Sequence, residues 1–101
     1  MLLSSIAHSN ALVVGATQGI GLEFIRQVLQ DERMDHVFAT YRSQETAAQL
    51  FALAEQYAER LHCIPMDITD ESQIETGILQ IRAIAPNLHF VINCVGLLHN
   101  E

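Results

Sequence analysis

The fold is decided by the stretch Gly15-Ala16-Thr17-Gln18-Gly19-Ile20-Gly21, which follows the apolar run Ala11-Leu12-Val13-Val14 and opens a segment of helical periodicity. A buried strand that turns through glycines into a helix N-terminus is a common way to hold a pyrophosphate. Glycines are needed because a Cβ would block the approach of phosphates to the backbone amides. The helix end adds roughly half a positive charge facing the anion. The stretch therefore predicts a dinucleotide-binding turn.

Composition limits the possible functions of the chain. Its 101 residues, of which 50% are hydrophobic, suffice for one core and predict one domain. A net charge of −7 argues against a nucleic-acid partner, because a protein that binds nucleic acid requires a basic face. Cys63 and Cys94 are predicted on strands that are not neighbours, so we expect free thiols, and the scattered histidines predict no metal site. Without a signal peptide or a membrane-spanning stretch, the sequence predicts a cytoplasmic chain with no membrane partner.

Apolar runs alternate with segments of helical period, which is typical of βαβ units and a parallel sheet. Strands are predicted at residues 11–15, 36–41, 61–65 and 89–94. Right-handed crossovers then give an α/β, Rossmann-type doubly wound sheet, β-α-β-α-β-α-β, with strand order 3-2-1-4. The order reverses between the first and fourth strands, and ligands bind outside the carboxyl ends there. We therefore expect residues 15–21 and 93–96 to meet at one edge of the sheet.

Each predicted helix carries one apolar face. The residues predicted to face the sheet are Ile20, Phe24, Ile25, Val28 and Leu29 in the first helix, Leu50, Leu53, Ala54 and Tyr57 in the second, and Ile74, Ile78, Ile81 and Ala85 in the third. Ser43 is a candidate N-cap of the second helix, and Asp70 of the third, where Gln73 is expected to complete a capping box. Gly77 is expected to cost the third helix about 1 kcal/mol relative to alanine, and Pro86 ends that helix.

The glycine spacing is G-x-x-x-G-x-G rather than G-x-G-x-x-G, and it closely resembles that of the short-chain dehydrogenase/reductase family. Val14 stands where that family usually has threonine. The resemblance implies that Gly15 permits the turn, Gly19 lets the backbone approach the pyrophosphate and Gly21 lets helix and strand pack closely. It also implies that Ile20 supplies an amide near the phosphates and a side chain to the core. The predicted cofactor-binding residues of this loop are Gly15, Thr17, Gln18, Gly19, Ile20 and Gly21.

The end of the second predicted strand selects the nicotinamide cofactor. An acidic residue there would accept the 2′-hydroxyl of the adenosine ribose and favour NAD. This chain has Thr40-Tyr41-Arg42 instead, and the planar fork of arginine donors suits a phosphate dianion. We therefore predict NADP(H), with NAD less favoured, and expect Arg42 and Ser43 to contact the 2′-phosphate. Gln18 stands where family members that bind NADP often carry a second basic residue.

Two further motifs follow the third and fourth predicted strands. The resemblance implies that Asp67 accepts a hydrogen bond from the adenine amino group and that Ile68 lines the adenine pocket. Asn93-Cys94-Val95-Gly96 resembles the family's N-N-A-G, with Asn93 and Gly96 matching, and implies contacts with the cofactor or the neighbouring strand. Gly21-Leu22-Glu23-Phe24 and Ala39-Thr40-Tyr41-Arg42 are most similar to the branch of C-factor and Sniffer-type carbonyl reductases.

The catalytic residues of the family are missing from this stretch. The family uses a tyrosine followed four residues later by a lysine, with a serine upstream. Tyr41 and Tyr57 are followed at that spacing by Glu45 and Leu61, and the sequence has no lysine. We therefore expect residues 1–101 to be a dinucleotide-binding Rossmann half-domain, truncated before the catalytic half and inactive alone, with the fourth strand leaving an open sheet edge.

For the whole protein, the resemblance implies hydride transfer between the nicotinamide and a small carbonyl or alcohol substrate, within a homo-oligomer. One alternative is a short, non-catalytic dinucleotide-binding or interaction module. Another is a different Rossmann-type class, such as a methyltransferase or an extended-type epimerase. The glycine spacing and the absence of an acidic residue in Thr40-Tyr41-Arg42 disfavour that last class.

Overall fold

The computed structural model of the chain describes residues 8–15 and 19–94. Within them the elements are β1 (Ser9–Val14), α1 (Gly19–Leu29), β2 (Met34–Tyr41), a 3₁₀ turn (Gln44–Thr46), α2 (Ala48–Gln56), β3 (Leu61–Pro65), α3 (Glu71–Ile84) and β4 (Phe90–Asn93). The four strands are parallel and lie in the order β3-β2-β1-β4. The predicted α/β architecture and strand order are confirmed. None of the helices in the described ranges combines the length and apolar character needed to cross a bilayer.

The sheet separates two hydrophobic cores. Val37 and Ala39 on β2 are fully buried in the core formed with α1 and α2. Phe38, which lies between them, is buried in the second core, against Ile81 of α3 and Ala85, the residue that follows α3. This division follows from the strand period of two, which sends adjacent side chains to opposite faces. Strand β2 is therefore covered on both faces, as in a doubly wound parallel sheet, whereas Phe90 and Val91 of β4 are 41% and 62% exposed.

Helix α1 packs on the sheet through Leu22, Ile25 and Leu29, all nearly inaccessible to solvent. The prediction that Ile20 sends its side chain to the core is wrong, because that side chain is 59% exposed. At 3.6 residues per turn, Ile20 lies about 200° around the helix axis from Leu22, so it faces away when Leu22 faces the sheet. Its side chain is therefore available at the surface beside the glycine turn.

The segment after β2 differs from the prediction. Ser43 does not cap α2; its hydroxyl accepts from the amide of Glu45 and caps the 3₁₀ turn instead. Helix α2 begins only at Ala48, after an N-cap residue, Ala47, whose side chain makes no capping hydrogen bond. Ala47, which separates the 3₁₀ turn from α2, is fully buried, so the chain reaches the core before the α-helix starts. The predicted inner face of α2 is confirmed, with Leu50 and Leu53 buried and Ala54 and Tyr57 packed against the core.

Helix α3 begins as predicted at Asp70, whose carboxylate accepts from the amides of Ser72 at 3.0 Å and Gln73 at 3.4 Å. Gln73 does not complete a capping box on the Asp70 amide. Its Oε1 accepts instead from the amide of Asp67 at 2.8 Å, because the Asp70 amide is already donated to the Asp67 carbonyl. The side chain of Gln73 therefore fixes the loop between β3 and α3.

Gly77 marks the closest approach of α3 to β3. A Cβ added there would collide with Cε of Met66 and lie 3.2 Å from Cγ2 of Ile64. The contact is thus centred on Gly77 rather than on its neighbour Ile78. The prediction that Ile78 faces the core is wrong: it lies at the margin of the contact and is 43% exposed.

Arg60 lies directly before β3, at the edge of the sheet opposite the glycine turn, and contacts three segments of the chain. Its guanidinium donates to the carbonyls of Leu29 at 2.7 Å, Asp31 at 2.7 Å and Met34 at 2.9 Å. Leu29 ends α1 and Met34 begins β2. The group therefore satisfies carbonyls that a helix end leaves without an intrahelical partner, and it holds the entry to β3 against the connection from α1 to β2.

Candidate nucleotide-binding site

The carboxyl ends of the four strands lie at one edge of the sheet. Val14 of β1 is paired with Asn93 of β4, and Tyr41 of β2 is paired with Pro65 of β3. The amide of Cys94 then donates to the Val14 carbonyl at 2.8 Å, which extends the β1–β4 pairing by one residue. The segments that follow the strands therefore share one edge, as the predicted strand order requires.

The described part of the glycine turn has the backbone expected of it. Gly15 has φ of 78° and Gly19 has φ of 63°, a left-handed region that side chains with a Cβ enter only at a cost. Gly21 is buried in the first turn of α1. That turn contains no acidic residue, so the positive end of the helix dipole is not neutralised by its own side chains. Thr17 and Gln18 lie outside the described residues.

One contact at the turn was not predicted from the sequence. The amide of Gly15 donates to Oγ1 of Thr40 at 2.9 Å, and Thr40 is only 1% exposed. The second strand is thereby tied to the point where the first one turns. The available signal was a hydroxyl at the end of the apolar run Val37-Phe38-Ala39, since a buried hydroxyl requires a partner.

Arg42 and Ser43 follow β2 directly, at the edge where the glycine turn lies. Arg42 is exposed, and among the described residues no hydrogen bond or ion pair engages its guanidinium. The hydroxyl of Ser43 accepts from the Glu45 amide at 3.2 Å, and its proton remains able to donate. Both side chains can therefore present donors to an anion, although their role with a 2′-phosphate stays a prediction.

Asp67 is held in a fixed position after β3. Its Oδ1 accepts from the amide of Thr69 at 3.0 Å and from the Thr69 hydroxyl at 2.7 Å. These hydrogen bonds lower the pKa of Asp67 below its ordinary value, and the charge of Arg42 makes a smaller contribution in the same direction. Oδ2 of Asp67 accepts no hydrogen bond from any other described residue. An ionised carboxylate oxygen therefore remains open to a donor.

The remaining predicted residues lie on either side of this centre. Ile68 is 41% exposed and forms an apolar surface next to Asp67. Asn93 is exposed and paired with Val14, one residue before the turn at Gly15. Gly96 falls outside the described residues. The structure thus brings the described members of the predicted site to one edge of the sheet.

The two cysteines do not have the properties of nucleophiles. Both are free thiols, as predicted, and burial raises the pKa of Cys63 and of Cys94. A thiol with a raised pKa carries little of the reactive thiolate at neutral pH. Within residues 8–15 and 19–94 there is also no group of three or more histidine, cysteine or acidic side chains that could hold a metal ion.

Comparison with known proteins identifies the family. The family model described as short chain dehydrogenase matches residues 9–101. The chain belongs to the short-chain dehydrogenase family. Among curated short-chain dehydrogenase relatives, it is 34% identical over 86 residues to the fatty acyl-CoA reductase of Acinetobacter baylyi, a match that covers 85% of this chain and 28% of the relative.

Solved structures of two reductases show the same fold. Sniffer of Caenorhabditis elegans, assigned as a carbonyl reductase, superposes with a TM-score of 0.77 at 28% identity, covering 86% of this chain and 36% of Sniffer. The L-sorbose reductase of Gluconobacter frateurii, solved with NADPH and L-sorbose, superposes with a TM-score of 0.73 at 21% identity, covering 95% and 36% respectively. This short-chain dehydrogenase chain therefore spans about a third of the length of these relatives.

Proposed function

We propose that this chain is the NADP(H)-binding, N-terminal part of a short-chain oxidoreductase. The observation that carries the proposal is the position of Arg42, whose exposed guanidinium follows β2 at the carboxyl edge of the sheet and makes no hydrogen bond or ion pair with a described residue. Arginine pairs with phosphate through two parallel hydrogen bonds, whereas the ribose hydroxyl of NAD calls for an acidic acceptor. Ser43 adds a second donor to the 2′-phosphate.

The other contacts follow from the geometry of the edge. The pyrophosphate lies at the N-terminus of α1, where Thr17, Gln18, Gly19, Ile20 and Gly21 supply the loop and its amides. This arrangement is supported by the left-handed φ values of Gly15 and Gly19 and by the dipole of α1.

Adenine lies on Ile68 and donates its amino group to the open Oδ2 of Asp67. That assignment is supported by the fixed carboxylate of Asp67. Asn93 and Gly96 approach the ribose on the nicotinamide side. The exposure of Asn93 beside the end of β1 supports its part in this contact.

A bound nicotinamide cofactor would give a hydride to a small-molecule carbonyl substrate, or in its oxidised form take one from an alcohol. This chain binds and orients the cofactor, and we assign no catalytic residue to it because it lacks a Tyr-x-x-x-Lys pair and any lysine. The proton-transferring residues belong to the part that corresponds to the remaining two thirds of the relatives. Residues 1–101 are therefore a half-domain that binds cofactor without turning it over. The whole protein acts as a homo-oligomer.

Titration calorimetry with NADPH and with NADH tests this function. Hydrogen bonds to charged groups contribute about 1.5–3 kcal/mol, so Arg42→Ala should weaken NADPH binding roughly 10- to 100-fold. NADH binding should stay unchanged, because NADH has no 2′-phosphate. Arg82→Ala is the matched control, since Arg82 is an exposed arginine in the last turn of α3, at the opposite end of the sheet. Equal losses for both cofactors, or a wild-type chain that takes up no NADPH, would contradict the proposal.

A further inference from the structure

Thr40 is a buried polar residue at a point where the chain has little freedom. It is 1% exposed and sits one residue before the end of β2. Its backbone is held in the sheet by pairing with Ile64 of β3. A β-branched side chain has few χ1 rotamers, so the position of the hydroxyl is largely set once the strand has formed. The hydroxyl is therefore a fixed point in the sheet.

The partner of this hydroxyl is the first amide beyond β1. Gly15 donates its N–H to Oγ1 of Thr40 at 2.9 Å, and it does so with φ of 78°. An amide that leaves the strand ladder needs another acceptor when it is shielded from water. Thr40 supplies this acceptor and so selects one orientation for the peptide group that starts the turn.

We propose that Thr40 is a positioning residue of the cofactor site, whose hydroxyl fixes the left-handed turn at Gly15 and thereby aligns the N-terminus of α1 with Arg42. This inference rests on the proposed function. Thr40 precedes Arg42 by two residues on the same strand end. The backbone pairing of β1 with β2 ends at Val13 and Ala39, and the hydroxyl extends the connection between these strands to the first residue of the turn. It therefore links the pyrophosphate end of the site to the 2′-phosphate end. Thr40 itself is too buried to touch the cofactor.

The test compares ligands that use different ends of the site. Without the hydroxyl, the free chain populates other turn conformations, and only the competent fraction binds a pyrophosphate. Thr40→Val should weaken NADPH and NADH by the same factor, roughly tenfold. It should leave adenosine 2′-monophosphate, which has no pyrophosphate, unaffected. Arg42→Ala should give the opposite pattern, with losses for NADPH and adenosine 2′-monophosphate but not for NADH. Thr40→Ser, which keeps the hydroxyl, should restore wild-type affinity, and Thr76→Val, at an exposed threonine of α3, is the matched control.

A second measurement needs no ligand and begins with the wild-type chain. In the wild-type chain, the Gly15 amide should exchange slowly with solvent deuterium and show a small temperature coefficient in ¹⁵N-resolved NMR spectra. Thr40→Val should remove that protection while the amides of β2 stay protected. A Gly15 amide that exchanges freely in the wild type overturns the proposal even if Thr40→Val does not fold. Thr40→Val that binds all three ligands like the wild type overturns it while leaving the proposed function intact. A wild-type chain with a protected Gly15 amide but no affinity for NADPH overturns the proposed function, and with it the role of Thr40 in binding.

Discussion

Arg60→Met should be among the most damaging single changes outside the two cores. The substitution keeps an unbranched side chain of similar reach and removes the donors that hold the carbonyls of Leu29, Asp31 and Met34. Three connections then loosen together: the end of α1, the turn after it and the start of β2. The aliphatic part of the methionine can still pack beside Tyr57, whose ring lies 6.0 Å from the guanidinium carbon.

The size of the effect follows from the three hydrogen bonds. A hydrogen bond to a charged donor contributes about 1.5–3 kcal/mol, which sets an upper limit of about 9 kcal/mol. The three hydrogen bonds are only partly buried, and the Asp31 carbonyl still accepts from the Met34 amide, so we expect a loss of about 3 kcal/mol in the free energy of unfolding. Chains of this length are stabilised by about 5–15 kcal/mol. Arg60→Lys should lose about half as much, because one ammonium group cannot reach three divergent carbonyls.

Urea unfolding followed by circular dichroism measures this loss. With an m-value of about 2 kcal/mol per molar urea, the midpoint should fall by about 1.5 M for Arg60→Met. Arg26→Met is the control, because Arg26 is half-exposed and makes only a 3.6 Å ion pair with Glu23; it should change stability by less than about 0.5 kcal/mol. If Arg60→Met and Arg26→Met had the same midpoint, the carbonyl contacts of Arg60 would not be stabilising.

Three other predictions concern packing and pH. The free energy of unfolding of Gly77→Ala in urea should lie within about 1 kcal/mol of that of the wild type, because the gain in helix propensity is offset by displacement of Met66. Gly77→Leu should lose about 1–3 kcal/mol. If the two variants were equally stable, the closest approach of α3 to β3 would lie elsewhere. Burial is the larger cause, and the charge of His36 the smaller, of the lowered pKa of His62. Protonation of His62 therefore opposes folding, and the stability of the chain should fall as the pH drops below about 6.5. His62→Gln should flatten the decline in melting temperature between about pH 7 and 5, and an unchanged slope would refute this. The hydrogen bonds from Ser72 and Gln73 lower the pKa of Asp70 from its ordinary value of 3.8. The charge of Asp70 therefore stabilises the fold when the pH is above 3.8, and this contribution is lost as the pH falls further. The melting temperature of Asp70→Asn should depend less steeply on pH below about pH 4 than that of the wild type, and identical acid profiles would contradict this.

Regular patterns made the strand order predictable, and with it the edge at which the carboxyl ends of the strands meet. The apolar runs, the glycine spacing and the handedness of crossovers together give the order 3-2-1-4, and from it the pairing of β1 with β4 that places Val14 beside Asn93. The apolar pattern predicts the helix face only approximately, because it does not indicate which residue comes closest to the sheet. Ile20 and Ile78 fit the pattern and are nevertheless exposed.

Contacts between distant segments were beyond the reach of the sequence. Arg60 lies about 30 residues from the carbonyls that it satisfies, and nothing local marks it as different from the four other arginines. Thr40 reaches Gly15 across 25 residues. The capping of the Asp67 amide by Gln73 is local, yet a capping box was the simpler expectation for the same side chain. The contacts of Arg60 and Thr40 depend on how the chain folds back on itself, whereas that of Gln73 depends on which of two nearby amides is free to donate.

The central position of β1 has a consequence for how the chain acquires its shape. Ala11 pairs with Val37 on one side and with Phe90 on the other, so one closure spans about 26 residues and the other about 79. The longer closure costs about 1 kcal/mol more in chain entropy, and during synthesis its second partner leaves the ribosome last. The first three strands can therefore assemble early, while the edge of β1 that pairs with β4 stays unpaired. A nascent chain that pauses before residue 90 should expose this unpaired edge of β1 to chaperones.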